Sequence, residues 1–516
     1  MVHPVAGPPI ENGVIIIRGE RIFAIGQQGD LQLPPNTKVF KFPEGHVYPG
    51  LVDASTDAFT DAKLRSDGSL TAANKISDGL MWTDSRDDHL VEHGITTAYV
   101  NVRSGAQMPG LGAIVRPQRA GFEIWESKEQ AALQLRMTSG KSASHPLQRQ
   151  AKLESVDRIF DGLDDYRDAQ EKFDKDLEKY NEDFEKYLEY HSKKNGKGDK
   201  GSKKKDDKPA AKTEPGTAEP PAASPSRRGR RGGGRPPRGE TPPGGGEQQQ
   251  LTAETFEKAL TTALTLVGKP ASQAEQDPRP GRRQGGTRPQ GAPPSQAKPA
   301  AAGGSAEKSS KTDGPKRPTY PKKPTENPQK DALAQVIDGK IPLRIEAHRI
   351  DELRAALRLQ SDREIPLVVL EQAYGAGHIV DDIADNGATV VLTDVLPFSL
   401  GAPGETSNPY AKFDPTALPK QLNAAGVPFA IAGGTARMSA MLPMMAASAI
   451  GRGLSEEAAL RALTLTPAEI LGVAKDTGSL TREKLADVIV TDGPLFASDS
   501  RVLLVLARGR TEYEAK

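Results

Sequence analysis

Eight histidines and no cysteine limit the chemistry open to this chain of 516 residues. Thiolate zinc sites, iron–sulfur clusters, disulfide frameworks and cysteine nucleophiles are excluded, so any metal must be held by imidazole or oxygen. His89 and His93 stand four apart on a segment, DDHLVEHG, that reads as helix. With no third ligand near them, the pair reads as ordinary surface. No Gly-x-Ser-x-Gly elbow occurs, and Ser55 has no histidine in its own neighbourhood, so serine-hydrolase chemistry lacks support. GLGAIV and GGT do not have the spacing of a phosphate-binding loop and read as turns. An arginine cluster of Arg227, Arg228, Arg230, Arg231, Arg235 and Arg238 lies in SRRGRRGGGRPPRG, with Arg282, Arg283 and Arg288 in a second. Such arginines meet phosphates through flexible backbone, although no aromatics are interleaved to stack on bases.

The elements that must position these residues follow from apolar periodicity. Residues 1–50 alternate short apolar runs with turn signals, GVIIIRGERIFAIG and then KVFKFPEGHVYPG, and predict small antiparallel β structure. From Leu51 to Phe160 the pattern becomes strand then helix: GLVDAS, the helical DDHLVEHG, ITTAYVNV, and helical material after Phe122. After Lys330 the alternation resumes with IPLRIEA, RIDELRAALRL, PLVVLEQ, HIVDDIADN, TVVLTD and FAIA, then helices near Met438–Ile450 and Ser455–Ala462. Strands alternating with helices predict a parallel sheet. ADVIVTDGP and RVLLVLARGRTEY close the chain as β structure.

Two stretches interrupt this order. Within 161–193, Tyr166, Phe173, Tyr180 and Tyr187 recur every seven residues with Leu177 and Phe184 between them, one apolar stripe on a long charged helix. It packs either on its own domain or, as a coiled coil, on another chain, which would make a homo-oligomer. Residues 194–330 carry 28 Lys and Arg against 14 Asp and Glu, so this basic stretch (+14) leaves −13 on the rest of the chain. Their Pro, Gly, Ser, Ala and Gln content predicts disorder, apart from a short helix at Thr252–Leu266. This insert reads as a solvated linker, as a contact for a polyanion or acidic partner through Arg227–Arg238, or as a segment lying against the acidic body.

The ordered parts resemble the amidohydrolase superfamily, closest to its imidazolonepropionase-like branch. The resemblance rests on ENGVIIIRGERIFAIG, VYPGLVDAS, HGITTAYV, GLGAIV, LRIEAHRIDELRAAL, AAGVPFAIAGG, GLSEEAALRALTLTPAEILGV and GSLTREKLADVIVTDGPL. It implies a (β/α)8 TIM-like barrel over 51–160 and 331–474, and a small composite β-sandwich domain built from 1–50 and 475–516, with the disordered insert midway. It also implies hydrolysis of non-peptide C–N bonds in cyclic amide-like substrates. Zn or another divalent metal at the barrel mouth would supply hydroxide near neutral pH, and a strand-eight aspartate would take the proton.

Carried over residue by residue, the His-x-His pair after the first strand falls on Ser55 and Asp57. The fifth-strand histidine falls on Glu346, with His348 one strand period further, the sixth-strand histidine on Gln372, and the eighth-strand aspartate on Gly434. All five family residues are replaced, which implies a dismantled metal site and a pseudoenzyme. Asp57, Glu346 and Gln372 remain as oxygen donors for a hard cation, with Arg349 and Arg437 nearby as their counter-charges. The mouth would still form a pocket for a small-molecule ligand. No apolar run is long enough for a membrane span. MVHPVAGPPIENGV has no export-leader pattern, so the chain as written reads as cytoplasmic. Because Val14–Ile17 already reads as strand, a missing N-terminal segment, and with it export, is the alternative expectation.

Overall fold

The structure is a computed structural model that describes residues 1–35, 37–61, 70–83, 89–101, 104–137, 146–195, 315–396 and 414–515. Met1–His191 and Pro315–Lys516 form one compact unit, and Ser192–Gly314 forms a second. The Thr252–Leu266 helix and the arginine clusters expected in the insert lie outside the described residues.

Fifteen strands are described, in chain order β1 (Gly13–Arg18), β2 (Arg21–Gln27), β3 (His46–Pro49), β4 (Leu51–Thr56), β5 (Ile95–Val100), β6 (Gly110–Gln118), β7 (Gly121–Ile124) and β8 (Ala132–Arg136). After the insert follow β9 (Leu343–Ala347), β10 (Val368–Gln372), β11 (Thr389–Leu392), β12 (Phe429–Ile431), β13 (Val488–Thr491), β14 (Val502–Ala507) and β15 (Arg510–Glu514). Eight of them hydrogen-bond in the order β12-β11-β10-β9-β8-β6-β5-β4. The two ends of this path meet where the Gly434 amide donates to the Ser55 carbonyl at 2.6 Å, which leaves a nearly closed barrel.

Side-chain alternation along the strands explains both layers. Leu343, Ile345 and Ala347 of β9, with Val368 and Leu370 of β10, join the large apolar cluster that also takes in Leu353, Ala356 and Leu357 of the Ile350–Asp362 helix. The opposite parity carries Arg344 and Glu346 on β9, and Val369 and Glu371 on β10. Polar residues among apolar ones are thus sorted to one face by the period of two.

The first half departs from the expected strand–helix alternation. β6 runs antiparallel to both β5 and β8, so GLGAIV is a strand and not a turn. The stretch after Phe122, expected to be helical, supplies β7 and β8 before a helix begins at Pro146. The segment at His89–His93 is a single 3-10 turn, Leu90–His93, ended by Gly94 at φ +83. Short connections between β5, β6 and β8 suit an antiparallel meander, which needs no crossover helix.

The two ends of the chain share one sheet of order β15-β14-β13-β3. β13 pairs β3 with Val488 opposite Pro49, and the Gly50 amide donates to the Asp487 carbonyl at 2.9 Å, so the barrel's first strand starts directly from this sheet. Arg508, in the turn between β14 and β15, pairs with Glu20 at 2.7 Å and with Glu123 of β7 at 2.9 Å. KVFKF forms no strand.

The heptad stripe lies on a 33-residue helix, Leu163–Asn195. Glu171–Lys175 and Glu182–Lys186 ion pairs at i,i+4 line its solvent side. The returning chain covers part of the stripe: Tyr166 donates to Asp331 at 2.6 Å and accepts from the Asn327 amide, and Tyr320 packs edge-on against Tyr180. The stripe therefore packs within its own chain at these points. The ordered body resumes earlier than Lys330, because Asn327 caps a helix that begins at Pro328. No described helix is long and apolar enough to cross a membrane.

Gly112 on β6 faces the fully buried ring of Tyr99, and a methyl group there would overlap the phenol. Gly112→Ala is expected to cost about 1–3 kcal/mol through overpacking, read as a lower urea midpoint at unchanged m. Tyr99→Phe removes a buried hydroxyl that has no partner among the described residues, and should hold or gain stability in the same assay.

Candidate functional site

Register in the parallel ladders brings four charged side chains into the barrel. Arg136 of β8 lies opposite Glu346, which lies opposite Glu371, and Gln134 lies opposite Arg344. Arg344 is fully buried and Glu371 is 2% exposed. The guanidinium donates through Nε to Glu371 Oε1 at 2.7 Å, through Nη2 to the same oxygen, and through Nη2 to the Ala54 carbonyl at 2.7 Å. It also stacks 4.1 Å from the centroid of the Tyr99 ring. The second carboxylate oxygen, Oε2, accepts from Asn101 Nδ2 at 2.9 Å and Gln134 Nε2 at 2.8 Å. One buried carboxylate is therefore neutralised by one guanidinium and saturated by two amides.

Nearer the mouth, Arg136 Nη2 donates to Glu346 Oε1 at 3.0 Å, and its Nε lies 3.0 Å from Oε2 as an ion-pair contact without hydrogen-bond geometry. His348 Nε2 stands 3.7 Å from Glu346 Oε1, and its ring packs against Tyr374, whose hydroxyl donates to Asp394 at 3.2 Å. Arg349 pairs with Asp351 at 3.0 Å instead of facing inward, and Arg437 is exposed.

The two positions after the first strand are also engaged. Ser55 Oγ accepts from Asn101 Nδ2 at 3.3 Å, and Asp57 Oδ1 accepts from the Ala436 amide at 2.9 Å, at the start of the short Ala436–Ser439 helix. Gly434 adopts φ +72 and offers only backbone. Gln372 was expected inside the mouth, but the alternation of β10 gives that place to Glu371. Gln372 ends the strand half-buried at φ +67, followed by Ala373 at φ +39. With Phe59 past β4 and Asp394 past β11, also at positive φ, strained non-glycine backbone gathers at the strands' C-terminal ends.

Asp53 has no ion-pair partner of this kind. It is fully buried, accepting from the Ser55 amide at 3.1 Å and the Gly433 amide at 3.0 Å. Burial pushes its carboxyl up from 3.8 to about 6, against the lowering effect of the Ser439 hydroxyl first and then of these amides and the Arg344 charge. Burial also holds the Tyr99 phenol well above its ordinary value and raises Glu352, which accepts from the His348 and Arg349 amides.

Comparison with known proteins fits this architecture. Residues 404–511 match the amidohydrolase family. The whole chain also superposes on an amidohydrolase from Thermotoga maritima MSB8, with a TM-score of 0.60, 16% identity, and coverage of 100% of this chain and 98% of that one. The family match covers the C-terminal part of the chain, and the superposition shows a shared fold. A molinate hydrolase structure aligns over 99% of this chain and 92% of its own, at 11% identity and a TM-score of 0.43. No curated protein matches the sequence.

The side chains at these positions do not fit the metal that the amidohydrolase resemblance implies. Glu346 and Glu371 are each spent on a guanidinium, Asp57 on a helix amide, and Gly434 has no side chain. Among the described residues, no three of His, Asp and Glu gather where they could share an ion. A hollow lined by Pro428, Ser455, Arg461 and Glu469 lies beyond the N-terminal end of β12, away from this network. The signal for Arg344 and Glu371 was present in the sequence as charges at inward parity in LRIEA and VVLEQ.

Because burial raises the Asp53 carboxyl, its ionised form opposes folding. The stability associated with protonated Asp53 is full below pH 3.8 and is lost as pH rises through about 6. Asp53→Asn should therefore gain on the wild type by up to about 3 kcal/mol above that range, at roughly 1.36 kcal/mol per pKa unit. Urea titrations at pH 4 and pH 7.5 should show the gap opening only at the higher pH.

Proposed function

We propose that this amidohydrolase-superfamily chain acts by binding and not by metal-dependent hydrolysis. The ion pair of Arg136 with Glu346 carries the reading. A guanidinium beside the carboxylate neutralises the charge that would attract a metal and repels the cation itself, and displacing that pair would leave a half-buried arginine uncompensated. The position of the family's proton acceptor supports the same reading, because Gly434 offers no base for a water attacking a carbonyl.

What the mouth retains is a polar lining. His348, Tyr374 and the Arg136–Glu346 pair present donors and acceptors around the barrel entrance, suited to a small polar molecule. The basic Arg227–Arg238 stretch adds a second contact in this proposal, toward a polyanion or acidic partner, supported by the opposed charges of insert and body. The motif order of the imidazolonepropionase-like branch would assign cyclic amides to a working site, so these are the substrates to test against.

Untagged protein purified without chelator should contain substoichiometric Zn, Mn and Mg by mass spectrometry. Its melting temperature should be unchanged by EDTA, and it should leave cyclic amides and dipeptides intact when these metals are added. A stoichiometric metal, together with turnover that Glu346→Ala abolishes, would return the chain to the hydrolases.

A further inference from the structure

We propose that Arg344 is the barrel's resident cation, a side-chain guanidinium seated in a built cation site. The assignment rests on the metal-independent reading above and deepens it. Its ligands are all oxygens and come from separate parts of the barrel: Glu371 Oε1 from β10, engaged by both Nε and Nη2, and the Ala54 carbonyl from β4. The other oxygen of Glu371 is held in place by Asn101 and Gln134, just past β5 and on β8. Each of these two amides turns its nitrogen to Glu371 and leaves its own buried oxygen without a partner among the described residues. The face of Tyr99, 4.1 Å from the guanidinium carbon, supplies further negative potential.

A carboxylate, a carbonyl and an aromatic face converging on one positive centre is the composition of a cation site, and here the cation is covalently attached. A guanidinium keeps its charge at every physiological pH and presents a planar fork that matches a carboxylate, so the site is filled without dependence on free metal. Removing the side chain leaves a buried carboxylate and carbonyl facing a hole the size of the lost group. That hole should accept a free cation of the same shape.

The test uses full-length wild type, Arg344→Lys, Arg344→Met, Arg344→Ala and the double variant Arg344→Ala with Glu371→Gln. Each is melted in sodium chloride and in millimolar guanidinium chloride at equal ionic strength. Arg344→Lys should melt above Arg344→Met despite methionine's better packing, because the ammonium retains the charge. Guanidinium should raise the melting temperature of Arg344→Ala while leaving wild type and the double variant unmoved. The proposal is overturned if Met matches or exceeds Lys, or if a folded Arg344→Ala ignores guanidinium or responds no more than the double variant. Should Arg344→Ala fail to fold, the order of Lys and Met decides alone. Stoichiometric metal in wild type with Lys above Met would sink the proposed function but not the role of the charge. Met at or above Lys in a metal-free protein would sink only the resident cation.

Discussion

A carboxylate taken out of water must find a positive charge or give up its own. The barrel interior obeys this at three points. Glu371 meets Arg344, Glu346 meets Arg136, and Asp53, with backbone amides for its closest partners, is shifted toward its neutral form. Strand register makes these pairings, because a parallel ladder sets side chains of neighbouring strands at the same height on the same face. Slipping β9 by one residue would turn Arg344 and Glu346 into the apolar layer and leave Glu371 uncompensated. The ion pairs and the alternation of apolar residues on the outer face thus specify the same register.

Much of the architecture was legible from periodicity. Strands β9 to β12 and the helix Ile350–Asp362 stand where the alternation of 341–462 put them, whereas the helix Leu418–Ala424 between β11 and β12 had no expectation of its own. The region from Tyr99 to Met137 was harder. Gly110 and Gly112 look like punctuation, yet at Gly112 the missing side chain makes room for Tyr99 within a strand. A glycine that accommodates a neighbouring ring and one that makes a turn read alike in a single sequence.

At the site, the replaced positions could be found by motif, but what took over could not. Motif alignment led to Gln372, while the strand's own parity led to Glu371, one residue away and on the other face. Arg344 and Arg136 carry no family signature, and their roles come only from the partners that folding brings to them from positions distant in sequence. The strained backbone at Gln372, Ala373 and Asp394 is likewise invisible in composition, since none of these is a glycine.

The sheet that joins β3 to β13 has a consequence for how the chain is made. Residues 46–49 take residues 488–491 as their neighbouring strand, so this part of the sheet waits for the intervening barrel to be made. Such distant pairing slows folding and leaves apolar strands such as GVIIIR accessible on the ribosome. In this protein β14 and β15 extend the same sheet beyond β13, and a nascent chain halted short of β13 would leave the edge of β3 open as a substrate for chaperones.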